Sequence, residues 1–147
     1  MIAALLAVLL AVAPPAAARR AAPEAVVIAS AAGERRVPVR ADGRGAPRLA
    51  AAELASALGA RLELHRPWLE LTLAGVPFRF LLDAPLVQVR GGWRPLAAAP
   101  TLQGDTVWLP FQVVAEVLPA GLGAAARYDR ARARLVVAAV LRAPLAG

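Results

Sequence analysis

Short runs of alternating apolar and polar residues between Arg61 and Leu96 place the strongest constraint on the fold. Alternation with a period of two is typical of strands that bury one face, and Pro or Gly turn residues separate the runs. The stretch therefore predicts an antiparallel β-meander. Its predicted strands are Arg61–His65, Trp68–Leu73, Val76–Leu82, Leu86–Val89 and Trp93–Leu96.

Turn residues and prolines add detail to this meander. The pair Gly91-Gly92 predicts a two-residue hairpin turn, which requires positive φ. Upstream, Ala25–Ser30 and Arg35–Arg40 are predicted to form a first hairpin. Because proline has no N–H to donate to a ladder, we expect Pro38 at a sheet edge, and Pro77 at an edge or at the start of its strand.

Two segments of the chain share one order of elements: a helix, a stop that contains Gly, a short strand, a turn and an apolar strand. In the first copy the predicted helix is Arg48–Leu58, and it ends at Gly59. In the second copy it is Phe111–Leu118, terminated by residues 119–123, and Arg134–Val140 is the closing strand. The sequence therefore predicts an α+β fold that is mainly antiparallel sheet with two short helices, built from pseudo-duplicated strand-helix-strand-strand units.

The first 18 residues have the layout of a signal peptide. An apolar run precedes Pro14-Pro15, and Ala16-Ala17-Ala18 supplies an A-x-A cleavage site. No basic residue follows Met1, so either the true start lies upstream or the signal is weak. The run is shorter than the roughly 20 residues that span a bilayer, so no stable membrane span is expected, and an uncleaved N-terminal anchor is the alternative.

The chain of 147 residues fits one domain behind this segment. We expect a flexible spacer over residues 19–24, the α+β domain over 25–140, and a tail or the start of a linker over 141–147. The predicted location is outside the cytoplasm, in the periplasm or cell envelope. With no Cys in the chain, disulfides are excluded.

The net charge of +7 comes from Arg alone, since the chain contains no Lys. Such a charge attracts polyanions, among them nucleic acid, anionic lipid and anionic wall polymers, although Arg scattered over a solvated surface gives the same total. A nucleic-acid site calls for a basic run interleaved with stacking aromatics, or for a recognition helix. The sequence has neither, so nucleic acid is not an expected partner.

Several short motifs resemble those of one known family, the copper amine oxidase N-terminal-like domain, or stalk domain. The resemblance covers Val37–Ala138, and it departs from the family at Glu116–Pro119, where a Leu-Gly stop is usual. The matching residues are Val107-Trp108-Leu109-Pro110, Val113–Leu118, Tyr128-Asp129 and Leu135-Val136-Val137, with Leu54–Gly59 in the first copy.

The resemblance implies a role at the cell wall, because such modules often precede cell-wall enzymes, especially zinc N-acetylmuramoyl-L-alanine amidase domains. It implies a non-catalytic accessory module that binds peptidoglycan or another anionic wall polymer and positions a downstream amidase domain. The sequence is compatible with the N-terminal part of such an amidase and with a stand-alone module. A protein-docking or inhibitory envelope domain without glycan binding is the alternative function.

Catalytic and metal-binding residues are not apparent. A zinc amidase centre needs several His and carboxylate ligands, and a copper site also favours imidazoles, whereas His65 is the single His. The two carboxylates Glu63 and Glu70 lie on neighbouring predicted strands near Arg61 and Arg66, and we expect surface ion pairs there. The serines have no base partner. We therefore predict no catalytic residue, no metal and no cofactor, and the chain as it stands is not expected to be an enzyme.

The candidate binding residues are three tryptophans and three arginines of the strand regions. Tryptophans on an exposed sheet face can stack on sugar rings, although they can equally fill a core that is short of large side chains. Arginines near the meander can meet carboxylate or phosphate groups of wall polymers. The candidates are Trp68, Trp93, Trp108, Arg79, Arg90 and Arg94.

Overall fold

A computed structural model describes residues 22–138, and within them thirteen strands and two short helical regions follow one another. The predicted signal peptide (1–18) and tail (141–147) lie outside the described residues, as do residues 19–21 of the predicted spacer. No helix within residues 22–138 is long and apolar enough to cross a membrane.

The strands are β1 (Ala25–Ser30), β2 (Gly33–Pro38), β3 (Arg40–Ala41), β4 (Pro47–Ala50), β5 (Arg61–His65), β6 (Trp68–Leu73), β7 (Val76–Leu81), β8 (Leu86–Val89), β9 (Gly92–Pro95), β10 (Thr101–Gln103), β11 (Thr106–Pro110), β12 (Ala126–Asp129) and β13 (Arg134–Val137). The helical segments are α1 (Ala51–Leu58), a π-helical turn (Val113–Val117), α2 (Leu118–Leu122) and a 3₁₀ turn (Gly123–Ala125).

These strands form three sheets. Sheet A has the order β12-β13-β1-β2, sheet B the order β10-β11-β4-β3, and sheet C the order β5-β6-β7-β8-β9. Every pairing is antiparallel except that of β1 with β13. The predicted meander is sheet C, whose five strands follow their order in the chain. The predicted α+β class, with antiparallel sheet dominant and two short helices, is confirmed.

The duplicated order of elements is visible at the centre of the molecule. One unit runs β4, α1, β5 and β6, and the other runs β11, the second helical region, β12 and β13. The first strands of the two units pair with each other in sheet B, where Leu49 lies opposite Leu109. Both leucines are completely buried, so this pairing joins the two units through the core.

Each helix also packs on the sheet that contains the β-hairpin of the other unit. This hairpin is β12–β13 in sheet A for α1, and β5–β6 in sheet C for α2. Helix α1 contacts β1 and β2 of sheet A, and α2 contacts β7 of sheet C. The stripe of α1 that was expected from its spacing is buried, with Leu54 and Leu58 at its centre. Because a helix this short cannot bury its stripe by itself, the two units depend on each other for a common core.

The second unit closes where its hairpin meets the start of its helical region. The Tyr128 ring lies edge-on to Phe111, with 5.8 Å between ring centroids. Partial burial raises the pKa of Tyr128 above its usual value, and the charge of Arg130 opposes this shift. In the following turn the Asp129 carboxylate accepts a hydrogen bond from the backbone N–H of Arg132, at 3.2 Å.

Two boundaries of the predicted helices were wrong. Residues 48–50 belong to strand β4 rather than to the first helix, because their backbone pairs with β11. The second helical region continues through Pro119 to Leu122 and ends at Gly123, which has φ +63°. Pro119 does not end it, since proline is tolerated in the first turn of a helix, and α2 begins as a new segment after the π-helical turn.

The two prolines lie where the sequence predicted, and one turn needs correction. Pro38 lies on the edge strand β2, and Pro77 lies near the start of β7, the middle strand of sheet C. It is tolerated there because it is the second residue of the strand, and the pairing of β7 with β8 begins only at Phe78. The β8–β9 turn consists of Arg90 and Gly91, both with positive φ, and is displaced by one residue from the predicted pair.

Gly121 allows α2 to approach sheet C closely. A Cβ atom at this position would lie 2.5 Å from Cε2 of Phe78, 2.7 Å from its Cζ, and 3.0 Å from Cγ1 of Val89. The Phe78 ring is completely buried in the close-packed core, so it can move only by displacing its neighbours. The contact between the second unit and sheet C therefore requires glycine here.

We predict that Gly121→Ala lowers the free energy of unfolding by about 1–3 kcal/mol, the usual cost of overpacking a core. Urea denaturation of the folded domain measures the change. Gly43→Ala is the matched control, because a Cβ atom there would have no other atom within 4 Å and the backbone is not left-handed. Equal stability of the two variants would contradict the close packing of α2 on sheet C.

Candidate functional site

Sheet C buries one face and leaves the other open. The buried face carries Leu69, Leu71, Phe78 and Phe80, each at most 1 % exposed. Because side chains alternate along a strand, the residues between them point to the opposite side. The open face is defined here by Trp68, Glu70, Arg79, Gln88 and Trp93, none of which is fully buried.

Strand register arranges four of these residues in a row across the sheet. Glu70 on β6 pairs with Arg79 on β7, Arg79 pairs with Gln88 on β8, and Gln88 pairs with Trp93 on β9. Trp68 precedes Glu70 by two residues on the same strand, so it points to the same side. The meander thus places residues from four strands on one surface.

Trp68 and Trp93 contact each other across this surface. Their ring centroids are 5.8 Å apart and the ring planes are inclined by 39°. The strands that carry them, β6 and β9, are separated by β7 and β8, a distance of about 14 Å at the usual strand spacing. The two indoles must therefore lean towards each other over the intervening strands. Trp93 nevertheless remains 51 % exposed.

Arg79 lies beneath this aromatic pair. Its Cζ is 4.4 Å from the centroid of the Trp68 ring, and its Nη1 donates a hydrogen bond of 2.9 Å to Oε1 of Gln88. Within the described residues it makes no ion pair, although Glu70 is its neighbour in register. The guanidinium is held in position by neutral partners, and its positive charge is available to a ligand.

The edge strand β5 extends the open face with charged residues. Glu63 lies 3.4 Å from Arg61 and 3.4 Å from His65, and all three are well exposed to solvent. The ion pair expected for Glu63 is confirmed, whereas Glu70 forms none with Arg66 or with any other residue between 22 and 138. Exposed pairs of this kind contribute little to stability. Between residues 22 and 138 no group of three or more His, Asp or Glu side chains could hold a metal ion.

The third tryptophan belongs to a different part of the molecule. Trp108 lies on β11 of sheet B, and the guanidinium of Arg48 lies over its ring with 4.5 Å between Cζ and the ring centroid. Trp108 makes no aromatic contact with Trp68 or Trp93. The structure therefore divides the predicted tryptophans into a pair on sheet C and a single one on sheet B.

The other two candidate arginines do not join the open face. Arg90 donates a hydrogen bond of 2.8 Å from Nε to the backbone oxygen of Gly121, so it links the β8–β9 turn to helix α2. Arg94 is exposed, but it pairs in register with Val87 and so points to the side of β9 opposite Trp93. Trp68, Trp93 and Arg79 are thus the candidates that the structure brings together.

Gln88 and Arg48 are contributors that the sequence patterns did not single out. Gln88 has the pattern of an ordinary polar strand residue, although its position in the β8–β9 hairpin places it opposite Trp93. Arg48 falls within the predicted first helix, where it would have had no reason to meet Trp108. The register of the predicted β8–β9 hairpin could have identified Gln88, because it places Gln88 opposite Trp93. No sequence pattern near Arg48 indicated that it contacts Trp108.

The open face has the composition of a stacking surface. Two indoles offer apolar ring faces, and Arg79 and Gln88 offer hydrogen-bond donors at the same level. An exposed arrangement of this type suits a ligand with apolar patches beside hydroxyl or carboxylate groups. Sugars and acidic polysaccharides have this chemistry.

Comparison with protein-family models, with curated proteins and with solved structures gave no match for this chain. The resemblance to the stalk-domain family therefore stays a prediction.

We predict an energetic coupling between Trp68 and Trp93 of about 0.5–1.5 kcal/mol, because their rings are in contact. A double-mutant cycle of Trp68→Ala and Trp93→Ala, measured by urea denaturation, gives this value. The matched cycle pairs Trp93→Ala with Trp108→Ala and should show no coupling beyond about 0.5 kcal/mol. Equal coupling in both cycles would mean that the three tryptophans are not divided as described.

Proposed function

We propose that this protein is an exported, non-catalytic accessory module that binds the glycan of peptidoglycan through the open face of sheet C. The observation that carries the proposal is the contact between Trp68 and Trp93, with Arg79 held against the Trp68 ring. Export is inferred from the layout of residues 1–18, which resembles a secretory signal.

Exposure of the aromatic pair supports a binding role over a packing role. The Leu69 and Phe80 side of the sheet forms the core without help from either tryptophan. Half of the Trp93 surface remains in contact with water, and large apolar side chains left in this position commonly mark binding surfaces. Stacking of sugar rings on these indoles would remove that apolar surface from water.

The charge of the chain supports an anionic polymer as the target. The net charge is +7, and Arg79 lies on the open face without an acidic partner within the described residues. Peptidoglycan carries carboxylates beside its sugar rings, so one surface can use stacking and charge together. An open face without a deep cleft favours weak contacts that repeat along a polymer.

An accessory role beside a zinc N-acetylmuramoyl-L-alanine amidase domain follows from the resemblance to stalk domains that precede such enzymes. In that arrangement the module holds the catalytic domain near its substrate and raises its effective concentration at the wall. The alternative is a protein-docking or inhibitory envelope domain. The open face favours this alternative in one respect, since Trp and Arg are enriched in protein interfaces.

We predict that the purified domain co-sediments with protein-free peptidoglycan sacculi at low salt, and that Trp93→Ala weakens this binding about tenfold, or about 1.4 kcal/mol. Arg79→Gln should weaken it and reduce its dependence on salt, because screening acts on the charged contacts. Quantification of the pelleted fraction across protein concentrations measures both effects.

Two variants on sheet A serve as controls. Val136→Ala removes an apolar side chain that is 42 % exposed, and Arg127→Gln removes an exposed positive charge. Both should bind sacculi as the wild type does. Failure of the wild type to pellet at low salt would contradict glycan binding, and pelleting that requires wall-associated proteins on the sacculi would favour the docking alternative.

A further inference from the structure

A second surface feature lies on sheet B, and its lining includes no residue of the open face. It is a groove with a volume of about 520 Å³, within the range of small-ligand sites. Its polar lining consists of Asp42, Arg44, Arg48, Thr101 and Gln103. Its apolar lining includes Trp108, Pro85, Pro110 and the three alanines Ala97, Ala98 and Ala99.

Arg48 lies at this groove and makes few polar contacts of its own. The guanidinium lies over Trp108, and Nη2 donates a long hydrogen bond of 3.4 Å to Oε1 of Gln103. Nε is buried and has no hydrogen-bond partner among residues 22–138. Among the ion pairs of residues 22–138, none includes Arg48. Buried donors without partners cost free energy and are rare in folded proteins, which distinguishes Arg48 from the other residues of the groove.

Asp42 lies near Arg48 without forming an ion pair with it. Its Oδ1 accepts hydrogen bonds from the backbone N–H of Ala46, at 2.8 Å, and of Arg44, at 2.7 Å. These two bonds are the main cause that holds the pKa of Asp42 below its usual value, and the charges of Arg48 and Arg44 lower it further. The carboxylate is therefore ionised and is used to shape the loop between β3 and β4.

The lining indicates the chemistry of a ligand. Two guanidinium groups and one carboxylate give the groove a net charge of +1, which matches a single carboxylate better than a phosphate dianion. The alanines, the prolines and Trp108 offer apolar contacts for the carbon atoms beside that carboxylate. A carboxylate at the terminal nitrogens of Arg48 would supply the ion-pair partner that this guanidinium lacks among residues 22–138.

We propose that this groove is a binding site for a small ligand with one free carboxylate next to an apolar group, such as an N-acylated amino acid or the C-terminal end of a short peptide. Arg48 is the residue that binds the carboxylate, and Trp108 fixes the plane of its guanidinium. The site is independent of the open face of sheet C and of the function proposed for it.

Nuclear magnetic resonance of the isotope-labelled chain tests the proposal with N-acetyl-alanyl-alanine as the probe. The expected result is a saturable shift of the Trp108 indole N–H and the enclosed Arg48 Nε–H resonances below about 10 mM probe, while the indole signals of Trp68 and Trp93 do not move. The same dipeptide with an amidated C-terminus should bind at least tenfold more weakly, since it lacks the negative charge of the carboxylate.

Arg48→Gln should abolish the saturable shift of Trp108. Arg40→Gln, which removes an equal charge from an exposed neighbour on β3, should leave it unchanged. Should Arg48→Gln fail to fold, Arg44→Gln in the exposed loop is expected to weaken binding. Equal binding of the acid and the amide, stronger shifts with inorganic phosphate, or equal losses in Arg48→Gln and Arg40→Gln would overturn the proposal.

Discussion

The antiparallel pairing of β4 with β11 is the interaction on which the rest of the structure depends. It brings the completely buried Leu49 and Leu109 together at the centre of the molecule. A helical region follows each strand closely, so the pairing also fixes where both helices start. Since each helix packs on the sheet that holds the other unit's hairpin, residues of both units contribute to the same core. Within residues 22–138 the two units therefore share one hydrophobic core.

This core also positions the open face. Helix α2 covers the buried side of sheet C through the close contact of Gly121 with Phe78, which leaves the opposite side free for Trp68 and Arg79. The backbone oxygen of the same Gly121 accepts the hydrogen bond of Arg90 and so fixes the β8–β9 turn. Trp93 is carried by the strand that follows this turn. The sequence made Arg90 a candidate binding residue. In the structure its hydrogen bond to the backbone oxygen of Gly121 instead supports the hairpin that carries Trp93.

The strands of sheet C could be predicted because their alternating pattern is local and one of their faces is buried. Strand β4 could not, because Leu49 and its neighbours fit a helical stripe equally well, and only the distant partner β11 decides between the two. Sequence patterns selected Trp68, Trp93 and Arg79, but not their contact, since it depends on two side chains that lean across the intervening strands. The pairing of Arg48 with Trp108 was hidden for the same reason as β4, because it exists only once the two units have joined.

We infer that the open face of sheet C binds sugars, and the three tryptophans of the chain allow a direct test. A neutral oligosaccharide of N-acetylglucosamine is titrated into the isotope-labelled domain while the indole N–H resonances are followed. Because this probe carries no carboxylate, it separates sugar stacking from binding at the sheet B groove. We expect the resonances of Trp68 and Trp93 to shift together and that of Trp108 to stay in place. Shifts confined to Trp108, or no shift of any indole at saturating sugar, would contradict the claim.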